Sequence, residues 1–348
     1  MPLSRSRSLV FTFTAVAILG LTIFTLNPLR NGALRSTSSI TSKKISTLIS
    51  SIPASFSKPE KSSEYAFVAF LEGSGDEESE DAEEEEDGYY TATRVLGYQL
   101  LHAPSTRSPH IPFLLLTTNV SSHRRTRLQN DGFTVLPIAP IPDPDWLHTS
   151  SHYHNIMTKL RVFELTNYTK LLYLDSDMLI TRPLHGIFAD PATTITPILE
   201  NATTIPGEAP LPTSYMLAAQ AQQTAREHPY PPLQSQTWFC SGFFLFAPST
   251  QLFTYYAALL TSPGKFTPDY PDQNLLNYAH RPEGPMPWTR FNYTWTTTFP
   301  TIREYEAGAA SLHEKYWLEE YRTKELGQDV LGGMWLGVKR EMEEFYGE

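Results

Sequence analysis

The chain has 348 residues, of which 41% are hydrophobic and 12% aromatic, so it can bury the core of one large domain or two small ones. Its formal charge of −10 has a local origin, because residues 76–87 contain ten Asp or Glu and the remainder is close to neutral. The absence of a basic patch argues against nucleic acid as a partner. Cys240 is the single cysteine, which excludes an intramolecular disulfide.

An uncharged apolar segment lies near the N-terminus. Residues 9–26 carry no charged side chain, and a helix of that length spans about 27 Å, enough for a thin bilayer. We predict a cytoplasmic tail at 1–8, an uncleaved transmembrane signal-anchor at 9–27 and a flexible stem at 28–62. A cleaved signal peptide and a buried core helix are the alternatives.

Four sequons offer glycosylation sites if the folded part of the chain is lumenal: Asn119, Asn167, Asn201 and Asn292. Together with the apolar segment they favour a single-pass type II protein of the Golgi or ER membrane. The flanking charges do not decide the orientation of the segment in the membrane. Basic residues lie on both of its sides, so the positive-inside rule is nearly balanced.

The folded domain is predicted at 63–348 as strands that alternate with helices, a pattern typical of an α/β domain with a mainly parallel sheet. Its first half contains strands at 65–71, 111–118 and 133–138, a fourth strand that ends before Asp175, and helices at 90–102, 122–129 and 155–164. The acidic run lies in the loop after the first strand, residues 74–88, where like charges repel one another and favour a solvated, disordered loop. A role in buffering cations near the site is the alternative.

The second half has fewer regular elements. Residues 190–213 are rich in Pro and Thr and are predicted as a loop, and a short strand is predicted at 216–219. The apolar run 238–248 is interrupted by Ser241-Gly242, where glycine indicates a close approach of another group. Helices are predicted at 250–260 and from Pro271 onward, followed by a charged amphipathic helix in the C-terminal tail.

Two carboxylates follow the fourth strand directly. The run Leu171–Leu174 predicts a buried strand, and Asp175-Ser176-Asp177 comes immediately after it. Ligands of open α/β folds bind beyond the carboxyl ends of the strands, and carboxylates placed there hold hard cations that retain coordination positions for phosphates. A phosphatase with an Asp-x-Asp nucleophile is a weaker interpretation, because its motif lies near the start of the domain and is followed by Thr or Val.

Four segments in order resemble glycosyltransferase family 8, the glycogenin-like group. They are the stretch from Lys159 to Lys170, the strand that ends in Asp175-Ser-Asp177, the Ser241-Gly242 run to Pro248-Ser249, and Asp272-Gln273-Asn274-Leu-Leu-Asn277. The likeness covers about residues 63–320. It implies a GT-A fold, a UDP-sugar donor, Mn²⁺ with Mg²⁺ as an alternative, and transfer with retention of anomeric configuration to a glycan or glycoprotein acceptor.

The resemblance also implies roles for individual residues. Asp175, Asp177 and His313 would be metal ligands, and Asp272 and Gln273 would face the reacting carbon. Residues implied to bind the donor are Leu71 and Tyr90 beside the uridine, Lys159, Ser176, Ser241, Gly242, and Lys315 at the phosphate. Retention would proceed by attack of a side chain on the sugar or by front-side attack in an ion pair, and the sequence leaves both open.

The chain departs from the family pattern at two places. His313-Glu-Lys-Tyr-Trp317 is shorter than the usual motif and lacks its glycine, and Cys240 stands where an asparagine is common. These departures are the support for an alternative function, a non-catalytic lumenal scaffold that keeps the fold. A self-glucosylating primer of the glycogenin type is a third hypothesis, which a membrane anchor would oppose.

Overall fold

The structure is a computed structural model that describes residues 63–73, 87–147, 155–200 and 208–348. The predicted tail, signal-anchor and stem, and residues 74–86 of the acidic loop, lie outside the described residues. Within these ranges, none of the helices combines the length and the apolar composition that crossing a bilayer requires.

A seven-stranded sheet forms the centre of the domain, with the strand order β10-β8-β9-β4-β1-β2-β3. The strands are β1 (Tyr65–Glu72), β2 (Phe113–Thr118), β3 (Thr134–Pro137), β4 (Lys170–Leu174), β5 (Met178–Ile180), β6 (Thr196–Pro197), β7 (Ser214–Tyr215), β8 (Leu217–Ala221), β9 (Phe239–Phe246), β10 (Thr289–Arg290), β11 (Thr297–Thr298) and β12 (Ser311–His313). The pairs β1/β2, β1/β4, β2/β3 and β8/β10 are parallel, whereas β9 runs antiparallel to both β4 and β8. The predicted α/β architecture with a mainly parallel sheet is therefore confirmed.

Helices cover both faces of the sheet. The α-helices are α1 (Gly88–Leu101), α2 (Ser122–Asn130), α3 (Thr250–Leu259), α4 (Pro271–Ala279), α5 (Ile302–Glu306) and α6 (Gln328–Tyr346), and the 3₁₀ helices are Asp145–Leu147, Ile156–Glu164, His185–Ala189, Glu319–Tyr321 and Glu325–Gly327. The helix predicted at 155–164 is thus a 3₁₀ helix. It follows Asn155, which has a left-handed backbone with φ of 54° and makes no side-chain cap.

The alternation of side chains along the central strands divides the core in two. Leu171 and Tyr173 of β4 pack into the cluster on one face of the sheet, and Leu172 and Leu174 pack into the cluster on the other. Because both faces are covered, these strands consist almost entirely of apolar residues, as expected for a central parallel strand. The same burial on both faces explains why the sequence shows a continuous apolar run there.

A small sheet of order β11-β12-β5 lies beyond the end of β4. β12 runs antiparallel to β5, with Leu312 opposite Leu179. Both leucines pack in a third apolar cluster with Trp335 of α6. These two- and three-residue strands were not predicted from the sequence, yet they bring the segment around residue 313 back to the end of β4.

Candidate active site

The chain bends sharply where β4 ends. Asp175 follows the strand directly and is partly exposed, whereas Asp177 is buried. Between them, Oγ of Ser176 shares a buried hydrogen bond of 2.7 Å with Oγ1 of Thr93 on α1. This contact fixes the bend and presents both carboxylates to one cleft.

The small sheet places His313 beside these carboxylates. β12 pairs His313 with Met178, and the backbone N–H of Glu314 donates to the carbonyl of Asp177 over 3.0 Å. Nε2 of His313 consequently lies 2.8 Å from Oδ1 of Asp177. One ligand atom from each of Asp175, Asp177 and His313 lies within 4.8 Å of the other two, a spacing suited to a shared cation.

Gly242 of β9 makes this convergence sterically feasible. The backbone N–H of Asp175 donates to the carbonyl of Gly242 over 2.8 Å, so the glycine lies directly against the cluster. A Cβ atom on Gly242 would be 2.4 Å from Cε1 of His313 and 2.6 Å from Oδ2 of Asp175. Any larger residue would therefore displace two of the three side chains.

Lys159, from the 3₁₀ helix before β4, lies between the carboxylates of Asp175 and Asp272. Its Nζ donates to Oδ2 of Asp272 and to the carbonyl of Ser241, both over 2.8 Å, and lies 3.4 Å from Oδ1 of Asp175. The ammonium also lies 4.2 Å from the ring centre of Tyr173. Burial alone would lower the pKa of Lys159, but Asp175 and Asp272 raise it above its usual value, so the side chain stays charged.

Asp272 and Gln273 lie in the first turn of α4. Oγ of Ser241 donates to Oδ2 of Asp272 over 2.8 Å, and the backbone N–H of Ser241 donates to Oε1 of Gln273 over 3.0 Å. Burial raises the pKa of Asp272, but Lys159 and the hydrogen bond from Ser241 outweigh it and hold the pKa below its usual value. Asp272 is therefore a buried carboxylate that remains ionised.

Asp177 is held between two cationic side chains. Nζ of Lys315 lies 3.2 Å from Oδ2 of Asp177, opposite the imidazole of His313. Burial opposes the charge of Asp177, but His313 and Lys315 lower its pKa well below the usual range. Burial likewise disfavours the imidazolium of His313, and the Asp177 carboxylate reverses this and raises the pKa of His313 well above its usual value.

A cavity of about 990 Å³ contains these groups. Of the twelve site residues predicted from the sequence, eleven line it: Leu71, Lys159, Asp175, Ser176, Asp177, Ser241, Gly242, Asp272, Gln273, His313 and Lys315. They come from six separate parts of the chain, which the fold brings to one edge of the sheet.

Tyr90 is the predicted site residue that does not line the cleft. Its side chain is 1% exposed, and the guanidinium of Arg124 lies 4.5 Å from its ring centre. Tyr89 lines the cleft instead and is 49% exposed. Asp87 caps α1 by accepting from the backbone N–H groups of both tyrosines. The two tyrosines occupy successive helical positions, so their side chains point about 100° apart, Tyr89 toward the cleft and Tyr90 toward the core.

The chain has relatives among curated proteins, although no family model matches it. An uncharacterised protein of Schizosaccharomyces pombe is 28% identical over 290 residues, which cover 75% of this chain and 76% of that protein. Glycogenin of Komagataella phaffii is 28% identical over 200 residues, or 56% of this chain and 41% of that protein. Inositol phosphorylceramide glucuronosyltransferase 1 of Arabidopsis thaliana is 28% identical over 128 residues, or 37% and 21%.

Among solved structures, an active-site mutant of LgtC superposes with a TM-score of 0.50 and 13% identity over 79% of this chain and 95% of that one. The chain is similar to the glycogenin-like glycosyltransferases of family 8. The resemblance predicted from the four ordered motifs is thus confirmed by sequence relatives, and the LgtC structure supports the fold.

The side chains of this glycosyltransferase fit a divalent cation. Oδ1 of Asp177 is buried and lies 2.8 Å from Nε2 of His313. Two ligand atoms of one cation also adopt this separation, and a ligand oxygen of Asp175 lies within 4.8 Å of both. Asp175, Asp177 and His313 would hold such an ion, which would act as a Lewis acid on a diphosphate.

Two further residues of the glycosyltransferase site were not assigned a role from the sequence. The hydroxyl of Tyr173 donates to Oδ1 of Asp175 over 2.9 Å, and the alternation of strand side chains could have indicated this, because the two residues are two positions apart. Sγ of Cys240 lies 3.7 Å from Nδ1 of His313, and no sequence signal links residues so far apart. Each contacts a candidate metal ligand, Tyr173 the carboxylate of Asp175 and Cys240 the imidazole of His313.

Proposed function

We propose that this glycosyltransferase moves a hexosyl group from a UDP-sugar to a glycan or glycoprotein acceptor, with retention of configuration and dependence on Mn²⁺. The observation that carries the proposal is the convergence of Asp175, Asp177 and His313 within 4.8 Å. An imidazole and two carboxylates match the ligand preference of Mn²⁺, and Mg²⁺ is the alternative ion. The named relatives are a glucuronosyltransferase and a glycogenin, which is consistent with a sugar donor.

The residues around the cluster divide the work of the reaction. Lys315 is placed to neutralise the leaving diphosphate, because its ammonium already lies 3.2 Å from Asp177 at the edge of the cluster. Lys159 fixes Asp272 and Ser241 in a dry environment, where their positions need no reorganisation during the reaction. Leu71 and Tyr89 line the same cleft and are candidates for contact with the nucleoside.

The environment of Asp272 supports front-side attack over a covalent intermediate. Oδ2 of Asp272 already accepts from Lys159 and from Ser241, and a carboxylate engaged by an ammonium is a poor nucleophile. In this role, Asp272 and Gln273 stabilise positive charge that develops at the sugar carbon. Incubation with a fluorinated UDP-sugar followed by intact mass spectrometry tests this, because a glycosylated Asp272 would establish the covalent route.

We also propose that residues 9–27 anchor the protein as a single-pass type II protein of the Golgi or ER membrane, with the catalytic domain in the lumen. The uncharged apolar composition of that segment and the sequons at Asn119 and Asn292, both exposed, support this topology. Carbonate extraction and endoglycosidase digestion of the full chain test it. A protein released by carbonate and unaffected by the glycosidase would contradict the proposal.

Substitution of a metal ligand tests the activity. Asp175→Ala should lower the rate of UDP release from UDP-sugars by about 10²- to 10³-fold and weaken Mn²⁺ binding in calorimetry. Asp329→Ala removes an exposed carboxylate from the first turn of α6 and is the matched control. Wild-type protein that binds neither UDP nor Mn²⁺ would instead fit the non-catalytic scaffold.

The glycogenin relative makes self-glucosylation a second candidate. It predicts that a tyrosine of this chain gains hexose units when the purified protein is incubated with UDP-glucose and Mn²⁺. The intact mass measures this directly. We expect the mass to remain constant while the hexosyl group is transferred to an added acceptor and UDP is released.

A further inference from the structure

The side chains that line the cleft are of two kinds, charged and neutral. The charged ones include six carboxylates and two lysines. The lining also includes amides, hydroxyls and aromatic rings without a formal charge, from Gln222, Gln223, Trp238, Tyr270, Thr298 and Phe299. We call these six residues the neutral wall.

Hydrogen bonds join three of the four segments of the neutral wall. The backbone N–H of Gln222 donates to the carbonyl of Trp238 over 3.0 Å. The backbone N–H of Gln223 donates to Oγ1 of Thr298 over 2.9 Å. Phe299 has a left-handed backbone with φ of 50°, a strained conformation for a bulky residue and one that clusters at ligand-binding sites. The neutral wall is therefore a built surface.

Trp238 lines the same cavity as the residues proposed to act at the sugar carbon. It comes directly before β9, three positions from Ser241, whose hydroxyl is bonded to Asp272. Its side chain is 44% exposed, and that of Tyr270, two positions before Asp272, is 58% exposed. Large aromatic rings that remain open to solvent inside a concave site offer apolar faces for a ligand to cover.

The charges of the cleft oppose an anionic acceptor. Its two lysines are already engaged, Lys159 by Asp272 and Ser241, and Lys315 by Asp177. No arginine is among the described residues that line the cavity. Two of the six carboxylates, Asp87 and Glu314, are paired with Arg124 and Arg226 outside the lining. A nucleoside diphosphate and a divalent cation approximately cancel each other, so four carboxylates against two lysines would remain after the donor binds. A phosphate, sulfate or carboxylate on the acceptor would meet like charge without a free cationic partner.

We propose that the acceptor is a neutral saccharide whose terminal pyranose ring stacks on Trp238 and whose hydroxyls bind the amides of the neutral wall. This inference rests on the proposed transfer from a UDP-sugar and specifies its second substrate. The acceptor oxygen forms its bond to the sugar carbon as the bond from that carbon to the diphosphate oxygen breaks, and the hydroxyl proton leaves with the diphosphate. A free oligosaccharide, a glycoprotein and a glycolipid can all present such a ring.

The first experiment measures the charge preference. The full chain, loaded with UDP and Mn²⁺, is applied to a glycan array that carries neutral, sialylated, sulfated and phosphorylated saccharides together with tyrosine peptides. We expect binding to neutral glycans, with a preference of about 10-fold or more over the anionic counterpart of the same saccharide. Preferred binding to anionic glycans or to peptides, or no binding to any of them, would overturn the inference.

The second experiment tests Trp238 itself with the neutral glycan that binds best. Trp238→Ala should raise the KM for this acceptor by about 10-fold or more, as for the loss of a buried aromatic anchor. Trp238→Phe should return the KM most of the way to the wild-type value. Tyr305→Ala, which truncates an exposed aromatic side chain on α5 away from the cleft, is the matched control. An unchanged KM in Trp238→Ala would overturn the stacking role.

Calorimetry with UDP and Mn²⁺ distinguishes a failure of the acceptor inference from a failure of the proposed transferase function. If the wild-type protein binds both and hydrolyses a UDP-sugar but prefers anionic acceptors, the acceptor inference is wrong and the transferase proposal stands. If the wild-type protein binds neither, the transferase proposal fails, and the acceptor inference fails with it. Glycoprotein and glycolipid forms of the preferred glycan, tested at equal concentration, then identify which source is used.

Discussion

The interior behind the sheet contains a buried histidine and the wall of the cleft a partly buried one, and the two differ in charge. His280 at the end of α4 has Nδ1 at 2.7 Å from the carbonyl of Met286, so this nitrogen donates, and Nε2 accepts from the hydroxyl of Tyr256 over 2.6 Å. Burial lowers the pKa of His280 to about 4, which keeps the ring neutral. In the cleft, the Asp177 carboxylate outweighs burial and raises the pKa of His313.

The comparison shows that the partners, more than the depth of burial, decide the state of each imidazole. The neutral partners of His280 satisfy both of its nitrogens, and nothing remains for a ligand to contact. Around His313, by contrast, the Asp177 carboxylate and the Lys315 ammonium place charges of both signs within a few ångströms, and all three side chains line the open cleft. The ring nitrogens of His280 are both satisfied by the protein, as is typical of a structural histidine. His313 lies among charged groups that can still bind a ligand or a cation.

The largest effect should follow removal of the charge at the centre of the cleft. Asp177→Asn takes the anion away from both His313 and Lys315, so two cationic groups lose their partner and the metal cluster loses a ligand. We expect the rate of transfer to fall by about 10³-fold and Mn²⁺ binding, followed by electron paramagnetic resonance, to be lost. Retained Mn²⁺ affinity in a folded variant would show that the cluster does not hold the ion.

The neutral state of His280 should make the free energy of unfolding depend on pH. Because the folded pKa of about 4 lies below the ordinary value near 6.5, the unfolded chain takes up the proton first as the pH falls. The contribution of His280 is complete above pH 6.5 and declines toward pH 4, by about 3 kcal/mol in total. Urea unfolding of the wild type and of His280→Gln at several pH values measures it, and equal slopes in this range would contradict the prediction.

A smaller effect on metal affinity should follow a single added methyl group. In Gly242→Ala the new Cβ would displace His313 and Asp175, and we expect Mn²⁺ affinity to fall by about 10- to 100-fold without unfolding. Gly333→Ala is the matched control, because nothing lies within 4 Å of its added Cβ on α6. The control should gain about 0.5–1 kcal/mol in stability from helix propensity. Equal Mn²⁺ affinity in both variants would show that the close approach at Gly242 is unimportant.

The sequence predicted the parts of the site that depend on local pattern. The apolar run before Asp175 marked a central strand, and the strand ends and helix starts of the first half were found within a few residues. Tyr90 was assigned from the family resemblance, but the helix begins at Gly88, two residues before the predicted start, and Tyr89 is the residue that lines the cleft. The contact between Cys240 and His313 could not be predicted, since β5 and β12 are three-residue strands whose pairing is a tertiary effect.

The last residue of the acidic run offers the smallest test, and it separates a structural carboxylate from a functional one. Asp87 was predicted as part of a disordered loop, but it accepts from the N–H groups of Tyr89 and Tyr90 and forms a 2.7 Å ion pair with Arg124. With its partners satisfied, it resembles His280 more than His313. Asp87→Ala should therefore lower the free energy of unfolding by about 1–2 kcal/mol through loss of the cap. Glu306→Ala, at an exposed acid that ends α5, should stay within about 0.5 kcal/mol of the wild type. Equal stability of the two variants would show that the cap contributes little, and α1 would then depend on its packing alone.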